Sequence, residues 1–201
     1  MPASRRFVPA ALLAVALSGA AAFALVPDVH ATLVAAVDLD TLVRDSDEVV
    51  LAQVIKEWTL YDDKGRIVTD YQMQVERVEK GSSTPGAAII VRKLGGMIGE
   101  VGMKISGEPS FKVGEVVVVF ASRGQKTYLR PVGMGQGTLR VFEQEGERWA
   151  RSDAEGMTLV ARDQKSVAKA AVPAPRKVDE LLLEVRGLVQ QHAKQGLPVG
   201  Q

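Results

Sequence analysis

The chain of 201 residues carries 25 Lys and Arg against 24 Asp and Glu, a net charge of +1, and contains no cysteine. Such balance argues against a broad nucleic-acid or anionic-membrane surface, both of which need surplus basic side chains. The absent thiols exclude disulfides, thiolate metal sites, a cysteine nucleophile and a lipidated-cysteine anchor, and the length suits one domain, or one domain with appendages.

Residues 1–31 differ from the rest. Arg5 and Arg6 form a short basic start, Phe7 to Val26 is almost continuously apolar, and small residues follow. This is the layout of a secretory signal peptide. Cleavage fits after Ala24 or after Ala31, and Ala31 is preferred because Thr32 to Ala36 then opens the mature chain as a strand-like run. The rival reading is an uncleaved anchor, disfavoured by the many Ala residues together with Pro9, Ser18 and Gly19. Removing 1–31 discards two Arg and one Asp, leaving 23 basic and 23 acidic side chains. The sequence thus predicts an exported protein, periplasmic or extracellular, with no stable membrane insertion after cleavage, stabilised by packing alone.

Asp38 to Asp45 reads as a short helix. Asp38 or Asp40 can cap its free N–H groups, and Leu39, Leu42 and Val43 form a stripe. Val49 to Leu60 and Ile67 to Val75 flank Asp62-Asp63-Lys64-Gly65, so a hairpin is predicted. With those four residues as the loop, Leu60 faces Ile67, Trp58 faces Thr69, Val54 faces Met73 and Ala52 faces Val75. Trp58 and Tyr71 then share a face. Val49 and Leu51 add a second dry face at the hairpin's base, which something must cover.

Further strands are expected at Ala88–Leu94, Val116–Phe120, Tyr128–Val132 and Thr138–Phe142, with weaker ones near Trp149 and at Met157–Val160. Two glycine clusters interrupt them, Gly95 to Met103 and Gly133 to Gly137. Residues 168–177 read as a Pro/Ala linker. Val178, Leu181, Leu182, Val185, Leu188 and Val189 then make an amphipathic helix over 178–195, docking on the hairpin base. The connections are too short for parallel crossovers. The fold class expected is mainly β: a small antiparallel Greek-key barrel of OB-like type, with a short N-terminal helix and a C-terminal amphipathic helix. An open sandwich is the runner-up.

Six motifs carry a resemblance. They are Leu-x-x-Leu-Val-x-x-Ser-Asp-x-Val-Val-x-x-x-Val (Leu39 to Val54), Gly65-Arg66-Ile67-x-Thr69-x-Tyr71, Val78-x-Lys80-Gly81, Gly95-Gly96, Phe111-x-x-Gly114-Glu115-x-Val-Val, and Gly133-Met134-x-Gln136-Gly137. Together they resemble a group of uncharacterised exported bacterial proteins. The resemblance implies a small OB-like barrel in the manner of netrin-type modules, and a surface that binds proteins or inhibits them.

Chemistry is sparse. His30 lies in the leader, and His192, near the end of the last helix, is expected on the surface, so no His serves a nucleophile or a zinc ion. Asp62-Asp63 is read as a turn, and Glu143, Glu145 and Glu147 as an exposed loop. Neither glycine cluster matches a dinucleotide or phosphate-binding fingerprint, and no cofactor is implied. Aromatic residues make up 5 % of the chain, too few for a single-strand-binding groove. Met97, Met103 and Met134, in or beside the glycine clusters, offer an adaptable apolar surface, and Gln136 is the polar residue among them. The reading is an exported, non-catalytic module that binds another protein or an envelope component. Its alternatives are a hydrolase using Ser–Lys or paired carboxylates, and an inhibitor of a secreted protease. A concave polar pocket with converging titratable groups would favour the enzyme, and packed convex ends the binding module.

Overall fold

The computed structural model describes residues 32–123, 126–153, 157–163 and 166–196. The leader and both cleavage points lie outside the described residues. In chain order the strands are β1 (Thr32–Ala35), β2 (Glu48–Tyr61), β3 (Ile67–Lys80), β4 (Ala88–Leu94), β5 (Gly96–Ile98), β6 (Val101–Met103), β7 (Val116–Ser122), β8 (Arg130–Pro131), β9 (Thr138–Gln144), β10 (Glu147–Ser152), β11 (Met157–Asp163), β12 (Ser166–Lys169) and β13 (Arg176–Lys177). The helices are α1 (Leu39–Asp45) and α2 (Val178–Lys194). Residues 170–175 carry no regular structure.

One large antiparallel sheet runs in the order β13-β10-β9-β7-β2-β3-β4, with β8 also on β7. It does not close. The end strands β13 and β4 do not pair with each other, and among the described residues the curl is crossed only by a one-residue bridge between Leu129 and Val91. The expectation of a closed OB-like, netrin-type barrel is therefore corrected to an open sheet with two helices, a mixed α/β fold. The reason lies in β8. It spans two residues and one of them is Pro131, which has no N–H to extend a ladder.

The long β2–β3 hairpin organises the rest. At its base five consecutive residues of β2, Glu48 to Ala52, are buried, so both faces are covered there. Val49 and Leu51 pack with Val118 and Phe120 beneath Leu42, Val43, Leu181, Leu182 and Val185 of the two helices. Val50, Ala52, Val54, Tyr71, Met73, Val91 and Val117 form a second core within the curl. The loop after β6 covers that core, and Phe111 meets the Tyr71 ring edge-on at 4.9 Å.

The register of the hairpin is half as expected. Val54 faces Met73 and Ala52 faces Val75, but beyond a bulge between Val54 and Lys56 the pairing slips by one. Toward the tip Glu57 faces Tyr71, Trp58 faces Asp70 and Tyr61 faces Ile67. Trp58 and Tyr71 thus lie on opposite faces, which corrects the tip register. Asp62 is the cause. Its carboxylate accepts the backbone N–H groups of Lys64 and Arg66 and the Arg66 guanidinium, drawing Arg66 into the loop. The bulge absorbs the added residue.

Candidate functional site

The inward face of the curl is apolar for most of its length and charged at its mouth. Along β4 the side chains alternate, so Ile89, Val91 and Lys93 share the inward phase, opposite Met73, Tyr71 and Thr69 of β3. Along β9, Arg140 lies opposite Val117 of the same inner core. The sheet thereby turns one lysine and one arginine toward a cleft of about 570 Å³ between the end of β4, the loop 103–110 and β9.

The far wall is built by glycine. After β4 the chain doubles back over the hairpin tip, with the Gly95 carbonyl accepting from the Thr69 hydroxyl at 2.7 Å. Gly96 follows at φ +140°, and a Cβ there would lie 2.4 Å from Thr69 Oγ1 and 2.7 Å from Thr59 Cγ2. A side chain at this position would push the β5–β6 hairpin off β2 and β3 and open the cleft wall. Leu94, Met103 and Ile105 supply apolar lining, and Lys104, Ser106, Ser110 and Glu108 supply polar groups.

The charges fall into two sets. Arg140 is fully engaged: its guanidinium donates to Glu115 at 2.7 and 2.8 Å, to Asp153 at 2.9 and 3.1 Å, and to the Ser110 carbonyl. It fastens the loop to the sheet. Lys93 makes no hydrogen bond or ion pair among the described residues; its ammonium lies 5.9 Å from the centre of the Tyr71 ring. Burial pushes it down from the ordinary lysine range, against the pull of Glu57, Glu108 and Asp153. Among the described residues Glu108 has no ion pair either. Burial pushes its carboxyl up, opposed by Arg130, the Leu94 backbone N–H and Lys93. Next to Lys93, the Tyr71 hydroxyl is buried without a well-formed hydrogen bond. Burial, then the charge of Glu57, pushes it up to about 12.

The methionines and Gln136 are distributed unevenly around this cleft. Met103 lines it. Met134 lines a second cleft of about 390 Å³, which Glu108 and Arg130 also line. Gly135 N–H donates to the Gly107 carbonyl at 2.8 Å, which joins the second glycine cluster to the loop 103–110. Met97 stands on β5, 68 % exposed. Gln136 is buried, and its side-chain amide joins the Val37 N–H at 2.9 Å and the Ala35 carbonyl at 3.1 Å, so it holds the chain after β1. His192, expected on the surface, is 3 % exposed and hydrogen-bonded to Asp40 of α1 at 2.9 Å. It ties the two helices together, which corrects its placement. Asp38 caps α1 by accepting from Thr41 N–H at 2.8 Å.

The concave polar pocket with converging titratable groups that would favour an enzyme is present, lined by Lys93, Lys104, Glu108, Arg140 and Asp153, but among the described residues a joined nucleophile and base are not seen in it. Among the described residues no Ser hydroxyl hydrogen-bonds to a lysine or histidine, so no nucleophile is joined to a base of that kind. No group of three His, Cys, Asp or Glu suited to a metal occurs among the described residues. No described helix is long and apolar enough to cross a membrane. The residues that reading the sequence missed are Lys93, Glu108 and Arg140. Lys93 and Arg140 had a signal, a charged residue in phase with inward apolar neighbours; Glu108, in an irregular loop, had none.

No family model, curated protein or solved structure matches the chain.

Proposed function

We propose that the chain is an exported, non-catalytic binding module whose site is the cleft between β4, the loop 103–110 and β9, and whose ligand is a small polar component of the cell envelope. One observation carries this reading: Lys93 and Glu108 face a common cleft with their charges unspent, while the neighbouring Arg140 is fully paired. Unpaired half-buried charges cost free energy in the ligand-free protein, and a ligand that pairs them recovers it. The apolar leader over residues 7–26 supports export.

Melting of the purified protein with and without the low-molecular-weight fraction of the host envelope tests the reading. A bound ligand in excess raises the melting temperature by several degrees. No shift with any envelope fraction would overturn it.

A hydrolase is the second reading, because burial drives the lysine and the glutamate of one cleft toward their neutral forms, as acid–base work requires. Turnover of generic ester or glycan substrates by the wild type, lost in Lys93→Met, would replace binding with catalysis.

A further inference from the structure

The side chains that face the cleft specify the ligand's charges. Lys93 comes from the end strand β4, where its backbone pairs with Thr69 of β3 on one side, and Glu108 from a loop that is fastened to the same sheet through Arg140 and Ser110. One half-buried cation and one half-buried anion thus line a single volume, close enough to feel each other's field yet forming no ion pair among the described residues. Each lacks a countercharge at bonding distance. Leu94, Met103, Ile105, Ser106 and Ser110 line the same cleft. A volume of about 570 Å³ has room for a ligand the size of an amino acid or a dipeptide.

We infer that the cleft is a zwitterion site, in which Lys93 takes the carboxylate and Glu108 the ammonium of one small ligand, a free amino acid or a short peptide with both ends unblocked. The inference rests on the binding reading above and goes beyond it by fixing the ligand's chemical class. A ligand with a single charge would leave one of the two groups half-buried and unpaired. A zwitterion satisfies both, with its short aliphatic part against Leu94, Met103 and Ile105. Lys104, exposed, also lines the cleft and adds a second cation to it.

Four probes titrated into the purified protein, followed by amide chemical shifts, decide the matter: L-alanine, L-alanyl-L-alanine, N-acetyl-L-alanine (carboxylate only) and L-alaninamide (ammonium only). At least one zwitterion is expected to bind about tenfold or more tighter than either singly charged probe, with shifts centred on Lys93 to Gly96 and Lys104 to Ser110. The better of the two zwitterions tells a free amino acid from a peptide. Lys93→Met is expected to reduce zwitterion affinity to that of L-alaninamide, and Glu108→Gln to that of N-acetyl-L-alanine. Equal binding of zwitterionic and singly charged probes, silence from both zwitterions, or unchanged affinity in the two variants would each overturn the inference. Should either variant fail to fold, the four-probe comparison on the wild type decides alone. Silence from the zwitterions beside a melting shift from the envelope fraction sinks the inference and leaves the binding reading standing; silence in both experiments sinks both.

Discussion

Lys80 is almost fully buried, yet its ammonium has work to do: it donates to the Val43 carbonyl at 2.8 Å and the Arg44 carbonyl at 3.3 Å, meeting the free C-terminal end of α1. Gly81, at φ +110°, lets the chain turn directly against Glu48, and a Cβ there would fall 2.2 Å from Glu48 Oε2. The Glu48 carboxylate in turn accepts from Ser82 and Ser83 N–H and from Arg123. The Lys80-Gly81 pair is thus a junction of helix, hairpin and loop. Gly81→Ala combines a disfavoured backbone conformation with a clash against a buried carboxylate. It is expected to cost about 2–3 kcal/mol, read as a lower urea midpoint at unchanged slope. Asp62 gives a second expectation. Hydrogen bonds from the Arg66 side chain and backbone hold its carboxyl down to about 2. Its contribution is present above the ordinary carboxylate range and is lost as pH falls toward 2. A side-chain NMR titration should place the Asp62 midpoint near 2 in the wild type and back toward the ordinary range in Arg66→Ala.

At the scale of elements, α1 and α2 act as one cover on one face of the sheet, joined by His192 and Asp40. Leu182 is fully buried at the centre of that contact, against Val49, Leu51 and Phe120 of the hairpin base and β7. Leu182→Ala is expected to cost about 2–5 kcal/mol in a denaturant titration, because the sheet beneath is regular and cannot collapse into the space. The helix and its covered partner were legible, since i, i+3, i+4 spacing and a two-sided strand base are properties of the residues themselves. Bulge and slip in the hairpin were not. They follow from Asp62 capturing the backbone of Arg66, and turn formers alone do not tell a four-residue loop from a five-residue one. His192 was misplaced for a related reason: its burial depends on α1 lying beside α2, a contact between segments far apart in the chain.

For the molecule as a whole, alternation told which residues face inward but not how far the sheet curls. Closure turned on the two residues of β8, too short a segment to read. The cleft exists because the curl stays open at the end where Lys93 and Arg140 point inward, and this sets stability against binding. Burial lowers the folded-state proton affinity of Lys93, so the charged lysine is a cost at neutral pH, and stability rises as pH climbs through its folded value toward the ordinary lysine range. Glu108 is shifted up, so its charged form is also a cost, and stability rises as pH falls through its folded value toward the ordinary carboxylate range. Without ligand, Lys93→Met and Glu108→Gln should therefore each melt higher than the wild type at neutral pH. Each should also flatten its own limb of the melting-temperature profile, alkaline for Lys93 and acidic for Glu108. A structural lysine would give the opposite sign, as Lys80→Met should, because that change leaves two α1 carbonyls without their donor. Sites kept for a ligand hold back stability that their removal releases, and the sign of these melting shifts separates such a site from a scaffold.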